Sequence, residues 1–445
     1  MEQRAYGPPS PGELLRCGAS SPTPLRPGAV GGSTGILSDA ANRTSAVSGD
    51  PLDSAGAPPL DPLELRRREF PSLGPAVHLD AASWGPFPVR TRRAVEAVAR
   101  RREQGGTLAP DFFTRALGGA RSGAARLLGC PVEEVALAPN TTWGIQVAAT
   151  LVGAGPPGRI LYHHGEFPTC VLPWRVLVER GFTLEEVPSD RLGRPQPDLL
   201  LERIHSAPDL RAVTLSLVQF ATGVVADVEA VVEACRTRGV FLALDAIQGM
   251  GILPLPPAAL EADVIASGAQ KWLLSPWGSG FLRLHPRHLP GGTPLPPVVS
   301  WFGFESALDF TTLLDYDPVP LPDGRLFEPA TLGIQDFAGM GASVELLLEV
   351  GVERIRRHVL AVQEPLVQWI RERGDQVEPV TPLDRDEERA GIVAFRTPRT
   401  EAVAAAMAEA GITLSVREGL VRFSPHLYTT VDEMERAVKV LDGCH

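Results

Sequence analysis

Two segments hold the residues with the clearest chemistry, GVFLALDAIQ (239–248) and ADVIASGAQKWLL (262–274). Only two lysines occur in 445 residues, Lys271 and Lys439, so any reaction needing a side-chain amine has two candidates. Lys439 lies in EMERAVKVL, four residues after Glu435, and reads as a surface residue of a closing helix. Lys271 instead ends an apolar run. Burying a lone ammonium is costly unless it is deprotonated or covalently linked. A desolvated lysine of lowered pKa is the nucleophile for a Schiff base with a carbonyl compound. Asp245 closes an apolar strand at its carboxyl end, where open α/β sheets bind ligands. Its carboxylate suits a pyridinium nitrogen, because it keeps such a ring protonated as an electron sink. The competing reading is a structural Asp–Lys ion pair.

Other chemistry is excluded by context. Gly153-Ala-Gly155-Pro-Pro-Gly158 matches a dinucleotide fingerprint in letters only. It follows a helix and opens a strand, the reverse of the required order, and its prolines lack N–H donors. His163, His164, His285 and His288 lack a partnering ligand set and read as surface and loop residues, so no metal is expected. Five scattered cysteines (Cys17, Cys130, Cys170, Cys235, Cys444) form neither a disulfide framework nor a zinc site, which favours a reducing compartment. A net charge of −11 argues against nucleic acid or a polybasic membrane patch. With no signal-peptide pattern and no spanning apolar run, a cytoplasmic location is expected.

The elements that must position these residues alternate. Helices are expected at 88–104, 112–128, 141–152 (after Asn140, a good N-cap), 168–180 and 226–238. Strands are expected at 159–163, 211–218, 239–244 and 263–267. Continuous apolar strands separated by helices indicate a mostly parallel sheet covered on both faces. Beyond 330 the pattern becomes long helices (335–349, 351–373), short strands (391–397, 412–416, 420–424) and a helix near 430–442. Three regions follow: a Gly/Pro/Ser-rich extension over 1–60 expected to be disordered, a large α/β domain over 61–325, and a smaller C-terminal α+β domain over 326–445.

With the segments around them, these residues resemble the fold-type I pyridoxal-phosphate enzymes of the class V aminotransferase group. The likeness runs over about 70–445 and is to the isopenicillin-N-epimerase-like, cysteine-desulfurase-like and kynureninase-like proteins. It implies the following roles. HLDAASWGP (78–86) lines the substrate pocket with Ser83 and Trp84. Thr141 and Thr142, at a helix start suited to an anion, bind the cofactor phosphate, and Gln270 reaches it too. Phe167, in Glu166-Phe167-Pro168-Thr169, stacks on the ring. Gln219, in Gln219-Phe220-Ala-Thr-Gly223, lies beside the cofactor. Asp245 meets the ring nitrogen, Gln248 the ring hydroxyl and Lys271 the aldehyde carbon. In Phe327-Glu328-Pro-Ala330-Thr331, where the family has glycine at 330, Thr331 reaches a neighbour's phosphate. That implies a homodimer with shared sites, and VSWFG (299–303) becomes a candidate to close the neighbour's pocket. Arg422 pairs with a substrate carboxylate. Independently, an arginine inside the apolar strand GLVRFSP needs an anion.

Departures narrow the reaction. Desulfurases carry a mobile cysteine loop before that arginine, whereas Ser415-Val-Arg417-Glu-Gly419-Leu420 has neither the cysteine nor room for a loop. Phe167 also stands where they stack a histidine. The expectation is an enzyme acting at Cα of an amino acid, as an aminotransferase or epimerase, with a β-lyase as the alternative. A non-catalytic scaffold would be marked by loss of the lysine or the aspartate, and both are present.

Overall fold

The computed structural model describes residues 60–105, 110–289, 298–307 and 309–444. The extension expected over 1–60 lies outside them, save Leu60. Among the described residues the strands are β1 Val77–His78, β2 Val135–Leu137, β3 Arg159–His163, β4 Thr183–Val187, β5 Leu210–Ser216, β6 Phe241–Asp245, β7 Val264–Gly268, β8 Gly280–Leu284, β9 Glu378–Pro379, β10 Val393–Arg396, β11 Ile412–Thr413, β12 Ser415–Arg417 and β13 Leu420–Phe423. Seven of them form one sheet in the order β2-β8-β7-β6-β5-β3-β4. The run from β7 to β4 is parallel throughout, and β8 lies antiparallel to both its neighbours. The central parallel strands β6 and β7 are short, mostly apolar stretches whose residues are almost all buried, as strands covered on both faces must be, whereas the edge strand β4 (TLEEV) is largely polar. The expected α/β architecture is therefore present.

The helices are α1 Pro62–Glu69, α2 Val89–Glu103, α3 Pro110–Leu128, α4 Thr141–Gly153, α5 Pro168–Val171, α6 Pro197–Ser206, α7 Val228–Arg238, α8 Ile334–Val350, α9 Val352–Glu372, α10 Thr400–Glu409 and α11 Val431–Cys444. One expected helix differs. Over 168–180 the α-helix stops at Val171 and 3-10 turns continue over Leu172–Arg180. Pro173 is the cause, since it has no N–H to give the carbonyl four residues back.

The expected strand 412–416 also divides. Ile412–Thr413 pairs in parallel with β1, while Ser415–Arg417 pairs antiparallel with β13 in a four-stranded sheet ordered β12-β13-β10-β9. The chain thus changes partner at Leu414. Val77 and Leu79 are buried with Val393, Phe395, Phe423 and the inner faces of α9 to α11. The loop after β1 runs on beside β13, where the Ser424 N–H donates to the Leu79 carbonyl (2.7 Å) and the Ala81 N–H to the Ser424 carbonyl (3.0 Å). That loop carries residues 80–85 from the small sheet towards the strand ends of the large one.

Candidate active site

Residues Ser216, Asp245 and Ala266 are register neighbours across β5, β6 and β7, at or near the strands' carboxyl ends. Asp245 is buried, and its Oδ1 accepts the Ile247 N–H at 3.0 Å. Burial raises its carboxyl to about 6, against the downward pull of that N–H and of Lys271. Lys271 stands three residues beyond β7. Desolvation pushes its amine down to about 8; Asp245 opposes this, and the charges of Arg422 and Arg417 add to it. The Nζ lies 5.5 Å from the centre of the Phe167 ring, which is half-exposed. The backbone here is constrained. Leu274 adopts φ +56°, an uncommon conformation for a residue with a Cβ, and its N–H returns to the Lys271 carbonyl. Gly85 packs against the same turn, where a Cβ would stand 2.4 Å from the Lys271 carbonyl oxygen, so only glycine fits.

The start of α4 faces this end of the sheet. Asn140 caps it through the Trp143 N–H (3.0 Å). Gly144 lets the helix sit close on β7, since a Cβ there would meet that of Ala266 at 2.5 Å. Thr141 Oγ1 accepts the Gly268 N–H at 2.8 Å, and the Gln270 side chain folds back over Gly268. Thr142 Oγ1 and Thr169 Oγ1 are 3.0 Å apart at the exposed rim. A helix N-terminus, hydroxyls and an amide group thus gather beside the lysine, as an anion requires.

Two glutamines expected beside the cofactor also tie segments of the chain together. Gln219 donates to the Gly165 carbonyl and accepts from the Ala221 N–H (2.9 Å), the Thr222 N–H (2.7 Å) and the Thr222 hydroxyl (2.9 Å), so it closes the turn after β5. Gln248 donates to the Ala82 carbonyl (3.1 Å) and accepts from Trp272 Nε1 (2.8 Å), tying the 80–85 loop to the lysine turn. Thr331 is not among the groups gathered at Lys271. It is exposed at φ +60°, and with Trp301, Arg121 and Glu328 it lines a separate surface cavity of about 440 Å³.

The substrate-side residues do converge. Arg422 is buried. Its Nε donates to Ser415 Oγ (3.0 Å), Nη1 to the Phe220 carbonyl (2.7 Å) and Nη2 to Ser83 Oγ (2.8 Å), with Asp80 Oδ1 at 3.4 Å. Burial holds its guanidinium down at about 10, with Asp80 opposing. Ser83 donates to Asp80 Oδ1 at 2.8 Å. Trp84 is half-exposed, edge-on to His78 at 4.8 Å.

Sequence reasoning passed over three site residues: Asp80, Arg417 and Glu166. The Glu166 carboxylate accepts the Ser216 N–H (2.9 Å) and the Ser216 hydroxyl. Burial raises it to about 7; the Ser216 bonds oppose this, and the charge of Asp245 adds to it. Its place in the quoted stacking segment was a signal, but nothing there says that the side chain turns inward. His163 corrects the surface reading, because it is buried at the end of β3 with burial pulling its imidazole to about 4. His164 is exposed beside Glu186, and His285 and His288 are half-buried near Glu261 and Asp263. Cys170 is buried against Thr214 Oγ1 (3.1 Å), with its thiol pushed well up by burial. Among the described residues, no helix is long and apolar enough to cross a membrane.

An amine of lowered basicity, a buried carboxylate, a ring face and a helix start at one sheet edge define a site for an aromatic aldehyde phosphate. The chain belongs to the class V aminotransferase family, whose model (Aminotransferase class-V) matches residues 105–436. It is similar to an isopenicillin N epimerase of Streptomyces clavuligerus, at 28% identity over 387 residues, covering 82% of this chain and 94% of the relative. A probable cysteine desulfurase of Methanothermobacter thermautotrophicus is 31% identical over 314 residues, covering 67% and 74%. In fold it matches the apo cysteine desulfurase of Thermococcus onnurineus, with TM-score 0.74 and 22% identity over 85% of this chain and 97% of that one. The chain is thus a pyridoxal-phosphate-dependent enzyme of fold type I. The residues present fit that cofactor. Lys271 could supply the amine, Asp245 could face the ring nitrogen, Phe167 could stack on the ring, and Thr141 and Thr142 at the α4 start could hold the phosphate.

Proposed function

We propose that the protein acts at the Cα of an amino acid, as an aminotransferase or an epimerase. The observation that carries this reading is Arg422, a buried guanidinium whose charge is felt at the Lys271 amine. Held by Ser415, Phe220 and Ser83, it would orient a substrate carboxylate with the neighbouring Cα towards Nζ. When bound, the cofactor withdraws electrons from Cα and so lowers the barrier to losing its proton. Asp245 keeps the charge balance at the ring nitrogen. The Lys271 Nζ, with a basicity near neutrality, takes the Cα proton and can return it. The half-exposed Phe167 covers one ring face without moving protons.

Sulfur transfer is outside this reading. The β12–β13 hairpin closes through Glu418 and Gly419, both at positive φ, with Arg417 paired to Leu420, and this two-residue turn has no room for a reactive loop. Cys170 is held as a thiol. We also assign a homodimer with shared sites. Thr331 is exposed, and it lines one cavity with Trp301 and Phe310, a phenyl ring 68% exposed. Mixing Lys271→Ala with Thr331→Ala protein is expected to restore one sound site per hybrid dimer; no recovery speaks against sharing.

The test is a panel of amino acids added to the loaded enzyme in heavy water, with products identified by mass. Deuterium at Cα with an inverted centre marks epimerisation, and an oxo acid marks transamination. Release of sulfide or persulfide from cysteine, lost in Cys170→Ser, would overturn the reading.

A further inference from the structure

We propose that Arg417 is a second substrate-binding arginine, forming with Arg422 a two-guanidinium clamp for one carboxylate. The inference rests on the reading that the substrate is an amino acid held beside Lys271. Arg417 and Arg422 lie on adjacent antiparallel strands, with Ser415 opposite Arg422 and Leu420 opposite Arg417, so both project from the same face as diagonal neighbours. The two-residue turn fixes that register. Both side chains then reach one atom: Ser83 Oγ accepts Nη2 of Arg417 at 2.8 Å and Nη2 of Arg422 at 2.8 Å. The same oxygen donates to Asp80, which completes the bonding a hydroxyl can make.

The charges do not balance. Arg422 has Asp80 at 3.4 Å, but among the described residues no carboxylate lies within ion-pair distance of Arg417. Its other bond, from Nη1, goes to the Val416 carbonyl (2.8 Å). Two half-buried or buried guanidiniums, one carboxylate and a neutral hydroxyl at their meeting point leave one positive charge unmatched. A ligand carboxylate at that point satisfies both forks better than the hydroxyl does, because charge-assisted bonds are roughly twice as strong as neutral ones. The loop that carries Ser83 runs straight onto the lysine turn, where the Gly85 N–H donates to the Gln270 carbonyl (2.9 Å), so the two arginines meet on that side of the site.

The test uses two reagents that attack lysine-bound pyridoxal phosphate whatever the natural substrate is. Aminooxyacetate carries a carboxylate and O-methylhydroxylamine does not. The rate of loss of the visible cofactor absorption is measured for each, and the ratio of the two second-order constants reports carboxylate recognition. Wild type is expected to favour aminooxyacetate. Arg417→Gln is expected to lower the ratio by about 10- to 100-fold, the effect of one bond to a charged group, and Arg417→Lys to restore part of it. Arg417→Gln is expected to lower it again in an Arg422→Gln background. A ratio unchanged in Arg417→Gln while Arg422→Gln lowers it overturns the clamp and leaves the function standing. No further loss in the double variant also overturns it, since Arg417 would then act only through Arg422. A wild type with no preference removes the clamp together with the carboxylate reading of Arg422. An absence of lysine-bound absorption contradicts the function itself.

Discussion

The two ends of the site are built on different physics. At the cofactor end, Asp245 and Lys271 come from two adjacent parallel strands and the turn after one of them, and neither is held by a direct ion pair among the described residues. Their proton affinities are set chiefly by desolvation, which raises the acid and lowers the base. At the carboxylate end, Asp80, Ser83, Phe220, Ser415, Arg417 and Arg422 come from distant parts of the chain and satisfy one another through a dense set of bonds. Substitutions at the first end should therefore alter chemistry with little effect on stability. At the second end they should alter both.

The largest effect is expected at Asp245. Asp245→Asn keeps the shape but not the charge, and turnover of the loaded enzyme should fall by at least about 100-fold, as when one preorganised electrostatic group is lost. Thermal unfolding of the apo protein should change little, and a large drop in melting temperature would break the contrast. Next comes Arg422→Ala, which leaves the buried Asp80 without its guanidinium. Urea unfolding should then show a loss of about 3 kcal/mol, and a loss equal to that of Asp245→Asn would erase the difference between the ends. The effect of pH sharpens the first end. Below about 8 the Lys271 amine is protonated and cannot attack an aldehyde. Capture of pyridoxal phosphate by apo protein, followed by absorbance, should thus accelerate about tenfold per pH unit and level off above about 8. A break nearer the ordinary lysine value would mean that the amine is not desolvated.

The smallest expected effect is at Glu166. Its folded value, about 7, lies above its ordinary 4.5, so the folded chain binds the extra proton between these values. The stability this contributes is present below about 4.5 and is lost as pH rises through 7. Apo Glu166→Gln should escape that loss and melt higher than wild type at pH 8. Equal melting at pH 8 would show that folding does not raise the proton affinity of the Glu166 carboxyl.

The same contrast explains what was readable from the sequence. Asp245 and Lys271 each follow a short apolar run, so those runs alone put them at or just beyond strand ends, and the parallel sheet followed from runs such as FLAL and VIAS. Two prolines near 173 and 168 were visible, yet their effect on the helix needed the local geometry. Arg417 was one basic residue among many. Only the hairpin register and the partner change at Leu414 bring it to Ser83, whose own position depends on a loop more than 300 residues earlier in the chain. The roles of Gln219 and Gln248 as ties between segments were likewise invisible, because a carboxamide's partners are decided by tertiary contacts.

The central claim is that Lys271 alone anchors the cofactor. It is tested most directly by reducing the loaded protein with borohydride, digesting it and locating the pyridoxyl label by mass spectrometry. The expected result is a label on the peptide containing Lys271, none on the peptide containing Lys439, and none in Lys271→Ala protein. A label on Lys439, or an unlabelled chain, would contradict it.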